Sequence, residues 1–432
     1  MTMQTRTGLW HGALAATLAV TATYGCERPN PYKLSGDASA TDDCPPITTN
    51  NDPSGGQGAD DPTGGQGAGT YDPGELDDRV IDYGEALRTA SLKLVGNLPT
   101  LDQIYAIVDA SEAERPAKYE EMVDDMLADP RFSTRMIEYW RNVFKMYGDN
   151  VQIMGQPAPS RETAPVFAAQ IVIEGRPWTD LITATSGTCP SYDSDTNTFV
   201  PGDCANGIQS SGVLTDPGIH SLYWGNLAFR RNRFFHEVFL CRNGNAAGGA
   251  EPTNSPNMDG SCEAPPNYNS PWPMDSISGE CNGGSVNFHE YNTTVVCANC
   301  HATWNHRAPL FANFDRFGMY FDTPQVLVPI EGSPFAIRSD WLVDGEPTAW
   351  KYGMPAADLT ELGQVMANDP EVLTCAVKRV WNYAMSRGDI VDNETPVPES
   401  VIAEYVDHFQ NSNLDVKSTL RAILLSEDFV SF

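Results

Sequence analysis

The sequence predicts a mainly α-helical domain with long irregular loops that disulfides hold in place. Three observations lead to this fold class. Apolar residues recur at helical spacing in several segments after residue 82, whereas strand-like alternation is rare and short. Capping patterns mark the start of several of these segments. Ten cysteines are present, and two pairs of them each flank one polar loop.

Residues 1–25 have the pattern of a signal peptide. Arg6 supplies a positive charge, and 9–22 form an apolar stretch that is short for a membrane span. Cleavage after Ala22 would release the chain, whereas cleavage before Cys26 would give a lipoprotein. No later segment has enough apolar residues to span a bilayer. We therefore expect an exported protein, located in the periplasm or held at the outer membrane by a lipid on Cys26.

Residues 26–76 are predicted to form a disordered tether. They consist mainly of Gly, Pro, Asp, Thr and Ser, and the octapeptide that starts at Asp52 recurs nearly unchanged from Asp61. A segment with so few large apolar side chains cannot offset the entropy cost of ordering.

An N-terminal helical region is predicted over 77–241. Thr100 and Gln103 frame a capping box, and the apolar residues of 117–128 form one helical stripe. Asp129 and Pro130 then open another helix, and 162–184 also have a helical pattern. The helix after Pro130 is rich in aromatic residues, which favour core packing over the lining of a cofactor pocket. Its large apolar and aromatic residues are Phe132, Met136, Tyr139, Trp140, Val143, Phe144 and Tyr147.

The rest of the chain divides into an irregular loop over 242–292 and a second helical region over 293–432. The loop is rich in Gly, Asn, Pro and Ser and has no clear period. In the second region, Asp369 and Pro370 open one helix, and the last predicted helix carries Val416, Leu420 and Ile423.

Outside the cytoplasm the cysteines are expected to pair or to carry a cofactor. Two local disulfides are predicted from the polar loops that they flank, and one long-range disulfide from the remaining residues. The predicted pairs are Cys189/Cys204, Cys262/Cys281 and Cys241/Cys375, with Cys44 left over in the tether.

The motif with the clearest chemistry is Cys-Ala-Asn-Cys-His at 297–301. Two thiols at this spacing can add to the two vinyl groups of haem, and the adjacent His301 can then bind the iron. Three other interpretations stay open for Cys297 and Cys300: a redox disulfide, a structural disulfide, or half of a zinc site. A zinc site would be completed by His301, His306 or His289.

A six-coordinate haem iron needs a second axial ligand. Met354 is the first candidate, because a Met-Pro pair on a loop after the haem motif is similar to the arrangement in small class I cytochromes c. His289 and His220 are alternatives, whereas His306 is too close to His301 in sequence. His236 and His408 fall in predicted helices and are expected to be structural.

Charge and motifs exclude several function classes. The chain has 57 acidic and 27 basic side chains, a formal net charge of −30, so it repels phosphate backbones and nucleic acid is not an expected partner. It has no nucleophile elbow, phosphate-binding glycine loop or zinc-protease motif. An electron carrier is therefore favoured over a catalyst.

Several phrases of the chain resemble the planctomycete-type cytochrome-c-associated family of exported bacterial proteins. They occur in the family's order and are ALRTASLKLVGNLPT (86–100), LADPRF (127–132), GVLT (212–215), the Arg230 and Arg231 pair, FLC (239–241), CANCH (297–301), FANFDRFG (311–318), the closing segment 375–388 and LLSEDF (424–429). The resemblance implies a cytochrome-like protein in which Cys297, Cys300 and His301 hold haem. Together with the motif at 297–301, the predicted fold is therefore a helical domain with a cytochrome-c-like haem segment.

Two functional hypotheses follow. In the first, the protein binds one haem c and transfers electrons to a redox partner or membrane complex of the cell envelope. In the second, it is a non-enzymatic envelope lipoprotein or scaffold whose Cys297/Cys300 pair is a structural disulfide or a zinc site. The membrane is contacted only through a lipid at Cys26 in either case.

Overall fold

Helices dominate the computed structural model of the chain. The structure describes residues 79–148, 151–243, 268–273, 276, 295–391 and 397–432, and for 295–298 it describes the backbone alone. About half of these residues lie in 14 α-helices, and the mainly helical prediction is confirmed at that level. The predicted signal peptide, Cys26 and the tether lie outside the described residues. None of the described helices is long and apolar enough to cross a membrane.

The helices, in chain order, are α1 (Tyr83–Leu94), α2 (Leu101–Val108), α3 (Arg115–Ala128), α4 (Pro130–Phe144), α5 (Thr163–Glu174), α6 (Asp180–Thr183), α7 (Pro217–Leu222), α8 (Phe229–Leu240), α9 (Val295–Phe311), α10 (Leu359–Ala367), α11 (Pro370–Ala384), α12 (Glu399–Asn411), α13 (Val416–Leu424) and α14 (Glu427–Val430). Two 3₁₀ turns lie at Asn226–Ala228 and Arg338–Asp340.

The strands of the described residues form three two-stranded antiparallel hairpins. They are β1 (Gln152–Ile153) with β2 (Gln156–Pro157), β3 (Ser191–Asp193) with β4 (Thr198–Val200), and β5 (Ala349–Lys351) with β6 (Met354–Pro355). These hairpins join helices and form no larger sheet among the described residues, in agreement with the few strand patterns in the sequence.

The predicted helix starts are confirmed where a side chain can satisfy the free backbone N–H groups. Thr100 and Gln103 form the capping box of α2. Asp129 and Asp369 each accept a backbone N–H at the start of α4 and α11, with Pro at the first helical position. Residues 162–184 differ from the prediction, because α5 ends at Gly175 in the left-handed region and only the short α6 follows.

One hydrophobic core runs through the described helices, all of which fall in one compact unit of the chain, 72–432. Helices α4 and α5 pack side by side, α1 packs on α3, and α11 packs on α13. The Tyr119 hydroxyl donates to the Leu424 carbonyl (2.9 Å), which ties the N-terminal helices to the C-terminal ones. The two helical regions of the sequence therefore share one interior.

The aromatic helix α4 supplies much of this core, as the sequence predicted. Its buried residues include Phe132, Met136, Trp140, Val143 and Phe144. The Trp140 ring stacks on Trp178, with ring centroids 4.9 Å apart. Tyr139 is only partly buried and Tyr147 is exposed, so these two tyrosines depart from the core prediction.

Two of the three predicted disulfides are confirmed. Cys189 bonds to Cys204 (Cα–Cα 5.1 Å), and Cys241 bonds to Cys375 (Cα–Cα 5.4 Å). The second joins the end of α8 to α11 across a sequence separation of 134 residues. Cys262, Cys281 and Cys44 lie outside the described residues, as does most of the predicted loop over 242–292.

Candidate functional site

The Cys-Ala-Asn-Cys-His motif lies in the first turns of α9. Cys297 and Cys300 are three residues apart on this helix, so they belong to one helical face. The structure does not describe the Cys297 side chain, whereas Cys300 and His301 are half-buried. The helix therefore brings two thiol-bearing positions and an imidazole together at its N-terminal end.

The tautomer of His301 follows from its hydrogen bond with Asn305. The Asn305 side-chain nitrogen donates to the Trp341 carbonyl (2.9 Å), so the Asn305 side-chain oxygen faces the imidazole. His301 Nδ1 lies 3.1 Å from that oxygen and must carry the proton that is shared between them. The neutral ring then has its lone pair on Nε2, and burial lowers the His301 pKa, which favours this neutral form.

Trp341 supports the His301 ring by a second route. Its indole N–H donates to the Leu227 carbonyl (3.0 Å), and the Leu227 N–H donates to the Leu327 carbonyl (3.1 Å). These bonds hold Leu227 and Ala228 at positive φ, 52° and 55°, a conformation that non-glycine residues rarely adopt. Helix α8 begins directly afterwards, and its first residue, Phe229, packs edge-on against His301 with centroids 5.0 Å apart.

A short piece of the predicted irregular loop covers another part of α9. Asn299 accepts the backbone N–H groups of Asn269 (2.9 Å) and Ser270 (3.3 Å). Trp272 then stacks on His306, with ring centroids 3.5 Å apart and planes 15° apart. Trp272, Ala302 and Ala349 form a small apolar cluster apart from the main core. Residues 268–273 thus form a cover over one face of the motif helix.

His306 does not have a ring nitrogen available for zinc in this arrangement. It is fully buried, its Nδ1 bonds to the Ala302 carbonyl, and its Nε2 lies 3.1 Å from the Glu346 carboxylate, a contact that needs one proton between them. Burial lowers the pKa of His306. Of the zinc ligands considered from the sequence, His301 keeps a suitable tautomer, and His289 lies outside the described residues.

The axial-ligand candidates lie in different surroundings. Met354 pairs with Lys351 across the β5–β6 hairpin, and its half-buried side chain packs on the main core. Its role as an iron ligand stays a prediction. His220 is fully buried, donates from Nε2 to the Leu214 carbonyl (2.7 Å) and stacks on Phe314 at 3.6 Å. These contacts give His220 a packing role.

Two fully buried arginines hold the C-terminal half of α9. Arg307 donates to the Trp350 carbonyl (3.1 and 2.7 Å), and its guanidinium lies 3.9 Å from the centroid of the Trp350 ring. Arg231 donates five hydrogen bonds of 2.7 to 3.0 Å to backbone carbonyls. Its acceptors are the carbonyls of His220, Phe311, Phe314 and Asp315. Burial lowers the pKa of both guanidinium groups to about 9.

Elsewhere in the described chain, one group of metal-ligand residues lies close together, namely Cys189, Cys204 and Asp216. The two sulfurs form a disulfide, so they cannot act as thiolate ligands. Asp216 instead caps α7 through the Ile219 N–H (2.8 Å) and accepts the Thr163 hydroxyl (2.5 Å). We therefore assign this group to structure.

Sequence reasoning missed Asn305, Trp341 and Phe229 as supports of His301. The spacing of His301 and Asn305 by four residues is a usable pattern, because such residues are neighbours on a helix. Trp341 and Phe229 come from distant parts of the chain, and nothing in their local sequence indicates this contact.

Comparison with known proteins gives one match. Residues 77–187 match the family described as PSCyt2, a protein of unknown function (DUF1549). No curated protein and no solved structure matches the chain. The match covers about a quarter of the 432 residues and ends before Cys297. This match is consistent with the resemblance to planctomycete cytochrome-c-associated proteins and does not extend to the Cys-x-x-Cys-His motif.

Proposed function

We propose that the protein is an exported carrier of one haem c, attached through Cys297 and Cys300 with His301 as an iron ligand, and that it transfers electrons in the cell envelope. The observation that carries this proposal is the fixed tautomer of His301. Asn305 and Trp341 hold the ring so that the lone pair is on Nε2, which is the form that a metal-binding imidazole requires.

The residues around the motif fit such a group chemically. Cys297 and Cys300 share a helical face, and the His301 ring is half-buried beside Phe229. A hydrogen bond from Nδ1–H to an acceptor makes the imidazole a stronger ligand. Haem, when bound, supplies a one-electron iron couple, and the apolar surroundings limit water access to the site.

The predictions on the N-terminus support the same proposal, because covalent haem attachment follows export. The signal-peptide pattern of 1–25 and the candidate lipid site at Cys26 predict a location in the periplasm or on the outer membrane. The expected partner is a redox protein or membrane complex of the envelope. Met354 is the proposed second axial ligand.

Covalent haem is tested by expressing the full chain with its export segment and with cytochrome c maturation factors. We expect a Soret band, a sharp α band on reduction, and a haem stain that survives a denaturing gel. The double variant Cys297→Ser/Cys300→Ser should lose the stain. The matched control Cys189→Ser/Cys204→Ser removes two other cysteines and should keep it. A folded but colourless wild-type protein would contradict the proposal.

The His301 tautomer is tested without haem by nitrogen-15 NMR of the imidazole rings. In the wild-type protein we expect the proton on Nδ1 of His301. Asn305→Leu removes the acceptor and leaves the Trp341 carbonyl without its donor, so the tautomer preference should be lost, with a stability loss of about 2 kcal/mol. His408, which bonds to Ser418 (2.9 Å), is an internal control. An unchanged His301 spectrum in the variant would show that Asn305 does not set the tautomer.

A further inference from the structure

A cavity of about 550 Å³ opens where α1, α4 and α11 meet. A smaller cavity of about 240 Å³ adjoins it and shares Val143, Lys145, Arg379 and Asp389 with it. We call the larger one the α1–α4–α11 cavity. Its volume falls in the range of small-molecule sites.

The charge of this cavity is opposite to that of the chain. Acidic side chains outnumber basic ones 57 to 27 in the whole sequence. The cavity is lined by four basic side chains and one carboxylate, that of Asp389. The basic residues are Lys93, Lys145, Arg379 and Arg387. A concave site lined by one sign of charge attracts ligands of the other sign.

Two of these cations, Lys93 and Arg387, have no carboxylate partner among the described residues, whereas Arg379 has one. Arg379 is neutralised, because it bonds to Asp389 (2.7 Å) and to the carbonyls of Glu237 and Val238. The half-buried Lys93 lies 5.4 Å from the centroid of the Tyr383 ring, and burial and the neighbouring Arg135 lower its pKa. Arg387 is exposed, and the ion pairs of the described residues do not include it.

The walls of the cavity add aromatic surface. Tyr139 and Tyr383 lie with ring centroids 4.8 Å apart. Their hydroxyl groups already donate to the Arg379 and Lys93 carbonyls. A ligand in the cavity would therefore contact the aromatic rings of these tyrosines and not their hydroxyl groups. Such a surface suits a ligand that itself has a ring.

Asn382 adds a buried hydrogen-bond acceptor. Its side chain is only 4 % exposed, and its amide nitrogen donates to the Gly388 carbonyl (3.2 Å). Its amide oxygen has no hydrogen-bond partner among the described residues. A buried acceptor without a partner is costly, and a ligand hydroxyl is a donor that would satisfy it.

We propose that the α1–α4–α11 cavity binds a hydroxylated organic acid of the size of a monosaccharide or disaccharide. Lys93 and Arg387 bind its carboxylate, Asn382 accepts from a hydroxyl group, and Tyr139 and Tyr383 pack against its ring. This proposal does not depend on haem, because none of these residues belongs to the motif helix.

Isothermal titration of the full chain tests each part of the proposal with matched probes. Galacturonate has the carboxylate, the hydroxyl groups and the ring. Galactose lacks the carboxylate, cyclohexanecarboxylate lacks the hydroxyl groups, and sodium sulfate supplies an inorganic anion alone. We expect galacturonate to bind at least about tenfold more tightly than each of the other three. Equal affinity for any of them, or no heat with galacturonate, would overturn the proposal.

Variants of the lining residues test whether galacturonate binds in the α1–α4–α11 cavity. Lys93→Met and Arg387→Gln should each weaken galacturonate binding by about tenfold, and Lys93→Arg should restore most of it. Lys118→Met is the matched control, since this exposed lysine of α3 pairs with Glu121 away from the cavity. Arg387 is exposed, so its variant tests the proposal even if Lys93→Met fails to fold. Unchanged affinity in Arg387→Gln and in a folded Lys93→Met would show that binding occurs elsewhere.

Discussion

The two ends of helix α9 are held in different ways. At the C-terminal end, the fully buried Arg231 and Arg307 donate to backbone carbonyls. At the N-terminal end, Asn299, Cys300 and His301 are only half-buried, and the cover over 268–273 contacts this end through two hydrogen bonds to Asn299. Its Trp272 ring stacks further along the helix, on His306. The same helix thus combines a fixed end with an accessible end.

This difference matches what covalent haem attachment would need. The proposed haem site needs accessible thiol and imidazole groups, and Cys300 and His301 at the N-terminal end are only half-buried. A buried cation is tolerated at the C-terminal end because helix carbonyls carry partial negative charge there. Arg231 uses the carbonyl of Phe311 in this way, and it also binds the Phe314 carbonyl beyond the helix and the end of α7 through His220.

The largest expected effect comes from removing the cation at the fixed end. Arg231→Met leaves the buried carbonyls of His220, Phe311 and Phe314 without their donor, so we expect the free energy of unfolding to fall by about 4 kcal/mol in denaturant titrations. The control is Arg233→Met on the same helix. In the part of the chain that the structure describes, this exposed arginine pairs with Glu237, and its loss should cost less than about 1 kcal/mol. Equal losses in the two variants would mean that the fixed end does not depend on Arg231.

The second expected effect is a pH dependence of stability that comes from Asp216. This residue caps α7, which Arg231 joins to the C-terminal end of α9. Burial raises its pKa to about 6, above the ordinary carboxyl value of 3.8. Between these two values the folded state binds a proton that the unfolded state has released, so the free energy of unfolding falls as pH rises. We expect a loss of up to about 3 kcal/mol from pH 4 to pH 6, and none further above it. Asp216→Asn keeps an acceptor for the Ile219 N–H and should flatten this dependence in denaturant titrations at each pH. The same slope in both proteins would assign it to another group.

The sequence predicted most of the helical core and the position of the motif, because these depend on local patterns. The capping residues Thr100, Asp129 and Asp369 mark helix starts through bonds to their own first turns, and the apolar stripe of α4 is visible within 15 residues. The disulfide between Cys241 and Cys375 followed from counting cysteines rather than from any local pattern.

The supports of the motif could not be predicted, because they join segments that are distant in sequence. Trp341 meets Asn305 and Leu227 only after folding, and Trp272 reaches His306 from a loop without a periodic pattern. The cationic cavity was missed for the same reason. Its lining residues become neighbours only when α1 and α11 pack together, as Lys93, Asn382 and Arg387 show.

The smallest effect sharpens the comparison most, because Trp272 covers the part of α9 between its accessible end and Arg307. Trp272→Ala removes the ring that stacks on His306 and contacts Ala302, in a cluster apart from the main core. We expect amide hydrogen exchange at 299–303 to rise by about tenfold, which corresponds to about 1.4 kcal/mol of local stability. The amides of 307, 308, 310 and 311 should keep their protection, because Arg307 and Arg231 remain in place. If both groups of amides lose protection equally, the cover over 268–273 stabilises the whole of α9, and its two ends are not held independently.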